Sequence, residues 1–123
     1  MELRYIELLG EKHPLCFSMS AAQNLTRHFG SMEEMGEQIM NEDVSVRRAA
    51  VVDVIAEMIR SGRVYAKAMG YDVPNPIPCD IADILEPDTV PLVGLILSVL
   101  RRDSSRDVEI EGAGKNGGAT ISK

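Results

Sequence analysis

Four side chains of the kinds that ligate metals or move protons stand out in this chain: His13 and Cys16 in a His-x-x-Cys spacing, and His28 and Cys79 further along. Zinc sites draw ligands from close pairs such as C-x-x-C or H-x-x-x-H, because one turn can then aim two ligands at one ion. These four lack that spacing, so no metal site is predicted. With two cysteines and no secretory features, no structural disulfide is expected. Cys16 and Cys79 read as small buried or half-buried apolar residues. Glu33-Glu34 and Glu37 resemble an acidic catalytic cluster, but they fall on the first turns of an expected helix, where carboxylates complement the dipole. His28, just before Gly30, reads as a cap or surface histidine rather than a general base.

Gly114-Lys115 invites a phosphate-loop reading that fails on spacing. The motif requires Gly where this chain has Glu109, and Ser or Thr where it has Asn116. No Gly-x-Ser-x-Gly elbow or His-Glu-x-x-His helix occurs. The sequence therefore predicts no catalytic residues and no cofactor, and a protein that is not an enzyme.

Thirteen Lys and Arg against nineteen Asp and Glu give a formal net charge of -6 over 123 residues. A phosphate backbone would be repelled, and the tight basic pairs, Arg47-Arg48 and Arg101-Arg102, read as solvated or dipole-compensating, so nucleic acid is not an expected partner. The opening Met1-Glu2-Leu3-Arg4 lacks the apolar run of a signal peptide, which leads to an expectation of a cytoplasmic chain. Val90 to Leu100 is too short to span a bilayer and is broken by Pro91, Gly94 and Ser98, so no membrane partner is expected. Seven methionines and no Trp suit packed helices with adaptable surfaces.

The elements that must position these residues are mainly helical. Two apolar runs flank a polar turn from Gly10 to Pro14, which predicts an N-terminal β-hairpin. Ser18 or Ser20 then caps a helix with Ala21, Ala22, Leu25 and Phe29 on its apolar face, stopped by Gly30. Phe17, Leu25 and Phe29 are expected in the core. Ser31-Met32-Glu33-Glu34 is a capping box for a second helix carrying Met32, Met35, Ile39 and Met40. After a polar break over 41–45, Val46, Ala50, Val51, Val54, Ile55, Met58 and Ile59 recur at helical spacing as far as Ser61-Gly62. A short helical segment, Val64 to Met69, ends at Gly70.

Pro74, Pro76 and Pro78 make the next stretch an extended connector. Asp80 caps a turn through Ile81, Ile84 and Leu85, and Asp88 or Thr89 with Pro91 opens a last helix to Arg101 or Arg102. That helix is apolar nearly all round, which predicts either a central core helix or one with a face in an interface. Residues 103–123, rich in Gly, Ser and charge, read as a flexible tail. The expected architecture is one domain, residues 1–102, of about five helices behind a small hairpin.

The order of strand, turn with Gly10 and Lys12, Leu15-Cys16-Phe17-Ser18, helix through Ala21, Leu25 and Phe29, and closing Gly30 resembles the opening of the tail assembly chaperones of long-tailed bacteriophages and prophages. The likeness covers residues 3–40, with general helical character through residue 102. It implies a small helical protein of the host cytoplasm that binds the tape measure protein, keeps it soluble, helps recruit tail tube subunits and self-associates. On that reading the partner or self-association surface comprises Met32, Met35, Ile39 and Met40, with Leu92, Leu95, Ile96 and Val99 on the last helix. The alternative is a small homo-oligomeric helical adaptor or scaffold without catalytic activity.

Overall fold

The structure is a computed structural model that describes residues 3–112, with side chains described as far as Asp103. Strand β1 (Arg4–Leu8) pairs antiparallel with β2 (Glu11–Leu15), Arg4 opposite Leu15 and Leu8 opposite Glu11. The chain reverses at Leu9-Gly10, whose φ angles of 53° and 81° are the positive pair that a two-residue I′ connection requires. The turn is thus shorter than the expected Gly10 to Pro14. Lys12, His13 and Pro14 have turn-like composition but lie in the second strand, where Lys12 is exposed and His13 and Pro14 are buried, Pro14 directly against a helix.

Each helix begins at a side-chain cap. Ser18 Oγ accepts from Ala21 N–H (3.2 Å) to open α1 (Met19–Phe29), and Ser31 Oγ accepts from Glu34 N–H (3.0 Å) to open α2 (Met32–Ile39). Asp43 does the same for α3 (Val44–Ala68), taking the N–H of Ser45 at 2.9 Å. Gly30, at φ 98°, ends α1 by donating to the Thr26 carbonyl at 2.7 Å. At the end of α3, Tyr71 N–H bonds to the Ala66 carbonyl and Gly70 N–H to that of Lys67, the paired contacts of a Schellman stop.

Among the described residues there are four α-helices rather than about five, because α3 does not stop at Ser61-Gly62. It runs unbroken for 25 residues, roughly 37 Å at helical rise, and is the element on which the others pack. Ala50, Val51, Val54, Ile55, Met58 and Ile59 are buried as expected, but so are Ser61, Gly62 and Ala66. Gly62 is where β2 crosses: a Cβ there would lie 1.9 Å from the Pro14 carbonyl oxygen and 2.4 Å from its carbon. Beside the crossing, Cys16 N–H donates to the Met58 carbonyl (3.2 Å) and Ser61 Oγ donates to Ser18 Oγ (2.7 Å).

The proline-bearing strap, 71–80, is tied to α3 by Arg63, whose Nη1 donates to the Pro74 carbonyl at 2.7 Å. It leads to a 3-10 turn, Ile81–Asp83, capped by Asp80, and then to α4 (Val90–Gly112). Ile77, Ile84 and Leu85 pack against the core from this side. Helix α4 passes the stop expected at Arg101 or Arg102. Asp103 is not the first residue of a tail but is 2% exposed, with one carboxylate oxygen accepting from Phe17 N–H (2.7 Å) and the other from Arg102 (2.6 Å). Arg102 in turn donates to the Leu15 carbonyl at 3.3 Å. The rest of the expected tail, 113–123, lies outside the described residues. Among the described residues, no helix is long and apolar enough to cross a membrane.

Three outcomes follow from this packing. Alanine at Gly62 gains about 1 kcal/mol of helix propensity but must push two backbones apart, for a net loss of about 2 kcal/mol in urea unfolding. Alanine at Gly94, where an added Cβ meets nothing within 4 Å, should instead stabilise. Asp103→Ala leaves Arg102 and the Phe17 N–H without this acceptor and should lower unfolding free energy by about 3 kcal/mol, read by the same titration.

Candidate protein-interaction surface

The side chains with metal-binding chemistry do not converge. Cys16 is buried behind β2, His28 lies on the outer face of α1 with its Nε2 2.8 Å from Asp53, and Cys79 is exposed on the strap rather than buried or half-buried. Among the described residues, no three His, Cys, Asp or Glu side chains are grouped to hold a metal ion. Glu33, Glu34 and Glu37 are exposed on α2, and Gly114-Lys115 lies outside the described residues.

His13 is the unusual member. It is 2% exposed, opposite Ile6 on the core side of the hairpin, and its Nδ1 has no hydrogen-bond partner among the described residues. Burial pushes its imidazole below the ordinary value; Glu11 partly opposes that shift and Arg63 adds to it. A neutral ring is therefore part of the packed hairpin.

Of the eight residues expected to form a partner surface, the structure sends half inside. Met35, Ile39, Ile96 and Val99 are at most 1% exposed, because i, i+3 and i+4 spacing on α2 and α4 is spent on α3. Met32, Leu92 and Leu95 are half-buried against the core, and Met40 is exposed at 63%. Phe17, expected in the core, is only half-buried, whereas Leu25 and Phe29 are buried. On α4, Val90 and Leu97 are exposed, so the helix that is apolar all round does leave an uncovered edge.

The clearest concave surface lies elsewhere. Between the first half of α3, the 3-10 turn and the start of α4 is an open cleft of about 490 Å³ with an apolar floor of Ala49, Val52, Ala82, Leu85, Pro87 and Leu92. Two arginines hold its walls together. Arg48 Nε donates to the Pro87 carbonyl at 3.0 Å, and Arg47 donates through Nε to Thr89 Oγ1 (2.8 Å) and through Nη1 to the Asn41 carbonyl (2.6 Å). The pair read from sequence as solvated or dipole-compensating is thus a brace between α3 and the loop before α4. Asp53 and Glu86 stand among the lining residues.

Of the lining residues only Leu92 was expected from sequence in a partner surface. The remaining signal was the small amphipathic turn Ile81, Ile84 and Leu85 after three prolines, whose position over the fold depends on the arginine brace and cannot be read from spacing. Comparison of the chain with protein-family models, with curated proteins and with solved structures finds no match. The functional reading therefore rests on geometry and on the N-terminal resemblance.

The buried His13 makes stability depend on pH. As pH falls through 6.5, the ordinary value, the unfolded chain takes up a proton that the folded chain refuses until lower pH. The unfolded state then binds more protons, so folding stability declines as pH drops through this window and levels off below the folded value. Urea titrations between about pH 5 and 8 should show a shallower decline for His13→Gln than for the parent; identical slopes would exclude the imidazole as the source.

Proposed function

We propose that this chain acts as a tail assembly chaperone of the long-tailed phage type, binding the tape measure protein and keeping it soluble while tail tube subunits are recruited. The observation that carries the reading is the open apolar cleft, held to a fixed shape by Arg47 and Arg48, which suits the capture of apolar side chains from another helix. The element order supports it: a hairpin, then a Ser-capped helix closing on Phe29-Gly30, is the arrangement on which the resemblance rests. The mechanism is binding without bond chemistry. A chaperone of aggregation-prone helices shields apolar faces, and exposed side chains such as Met40 and Met19, which lie outside the cleft, can repack against varied sequences. On this reading the protein works in the host cytoplasm and associates with further copies of itself.

The alternative adaptor reading draws on Val90 and Leu97, which leave an apolar edge on α4 that could close a dimer. Co-expression with the long helical protein of a neighbouring gene separates the two. Rescue of that protein's solubility with stable co-elution is the expected result. A folded chain that neither rescues nor co-elutes would overturn the chaperone reading and leave the adaptor.

A further inference from the structure

We infer that the cleft is a docking site for an amphipathic helix carrying lysine or arginine beside its apolar face, an inference that rests on the binding reading above. The floor supplies the apolar half of the recognition: Ala49 and Val52, one turn apart on α3, face Ala82, Leu85 and Leu92 across an open gap. A helix laid into such a gap presents side chains at i, i+3, i+4 and i+7. The braced walls mean that little ordering has to accompany docking.

The charge around the floor chooses the kind of helix. From Tyr71 through Thr89 the chain carries Asp72, Asp80, Asp83, Glu86 and Asp88 and no Lys or Arg. Glu86 lines the cleft together with Asp53 of α3, whose Oδ2 lies 2.8 Å from His28 Nε2, and Asp83 and Asp88 are exposed on the same connecting segment. The positive side chain in the lining is Arg48, whose Nε is engaged by the Pro87 carbonyl. Arg48 keeps its charge, but Asp53 and Glu86 outnumber it in the lining and Asp83 and Asp88 add to them, so the rim is net negative over an apolar floor and selects apolar segments flanked by basic residues while repelling acidic ones.

A second copy of this chain fits that description less well. Two of its exposed faces pair apolar with basic residues: Arg60, Val64 and Lys67 at the end of α3, and Val90, Leu97 and Arg101 on α4. Arg60 is already bonded to Glu57 and to Ser20 Oγ, and its neighbour Arg63 is bonded to the Pro74 carbonyl. Lys67 on the one face, or Arg101 on the other, would have to carry most of the complementarity, where the rim offers several carboxylates. The occupant is a helix from a different protein.

The test uses the full chain and a synthetic helical peptide with leucines at i, i+3, i+4 and i+7 flanked by lysines, beside a copy with glutamates in place of the lysines. Amide shifts should cluster on α3 around Ala49 and Val52 and on the turn over 81–85, and the glutamate peptide should bind at least about tenfold more weakly. Paired Asp83→Lys and Glu86→Lys, both exposed positions, should weaken the lysine peptide about tenfold and flatten its salt dependence. Ala49→Phe fills the floor from an exposed site on α3 and should abolish binding.

Equal binding of both peptides, or shifts confined to another face, would overturn the inference. So would self-association of the chain that Ala49→Phe abolishes together with either Lys67→Glu or Arg101→Glu, since a second copy would then be the occupant. The two readings fail separately. Lysine-peptide binding at the cleft without solubility rescue removes the chaperone reading and keeps the docking site. Rescue that survives both cleft variants does the reverse.

Discussion

Everything in this fold leans on the place where β2 lies directly across α3 at Gly62. Two backbones can approach that closely only where no Cβ intervenes, and at this position even a methyl group would sit inside the carbonyl of Pro14. The approach brings the Cys16 N–H onto a mid-helix carbonyl and sets Ser18 where it can both cap α1 and bond to Ser61. From that junction α4 closes the other side, as Asp103 and Arg102 take the Phe17 N–H and the Leu15 carbonyl. A two-stranded hairpin is marginal alone in water. Here it is held by a helix on one side and an ion pair on the other, and it becomes a wall of the core.

Local signals in the sequence were sound wherever local chemistry decides structure. Ser18, Ser31 and Asp80 cap the helices and turn they were expected to cap, Gly30 and Gly70 end helices with positive φ, and the apolar spacing from Ala50 to Ile59 is the buried face of α3. The errors came where a distant element overrode composition. Ser61-Gly62 has the look of a helix stop, yet it is a crossing point, which only the strand 48 positions earlier explains. His13-Pro14 has the look of a turn, and Asp103 of a tail, for the same reason: the partner that buries each one is far away in the chain. Which apolar faces stay exposed was less legible still, because periodicity tells which residues share a face but not which face meets α3. Met35, Ile39, Ile96 and Val99 lie on the faces of α2 and α4 that are turned into the core.

Polar contacts in this protein work mainly as braces between elements. Arg47, Arg48, Arg63 and Arg102 each donate to a main-chain carbonyl outside their own helix. A guanidinium suits this role because its planar, spread-out donors can satisfy backbone acceptors that helices and strands leave over. The strap and the loop before α4 have little regular structure, and these bonds fix them over the core, which is why a cleft with a defined floor can exist between a helix and a loop.

The same junction at Gly62 also fixes an order of events on the ribosome. The hairpin and α1 are synthesised first, but the groups that hold them, Met58, Gly62, Arg102 and Asp103, emerge only later. Until they do, β2 presents an unpaired edge and the apolar faces of Ile6, Leu8 and Leu15 to its surroundings. A nascent chain of this protein passes through a stage at which its own N-terminus needs cover, and its folding completes from the C-terminal side, when the last helix delivers its carboxylate to the first loop.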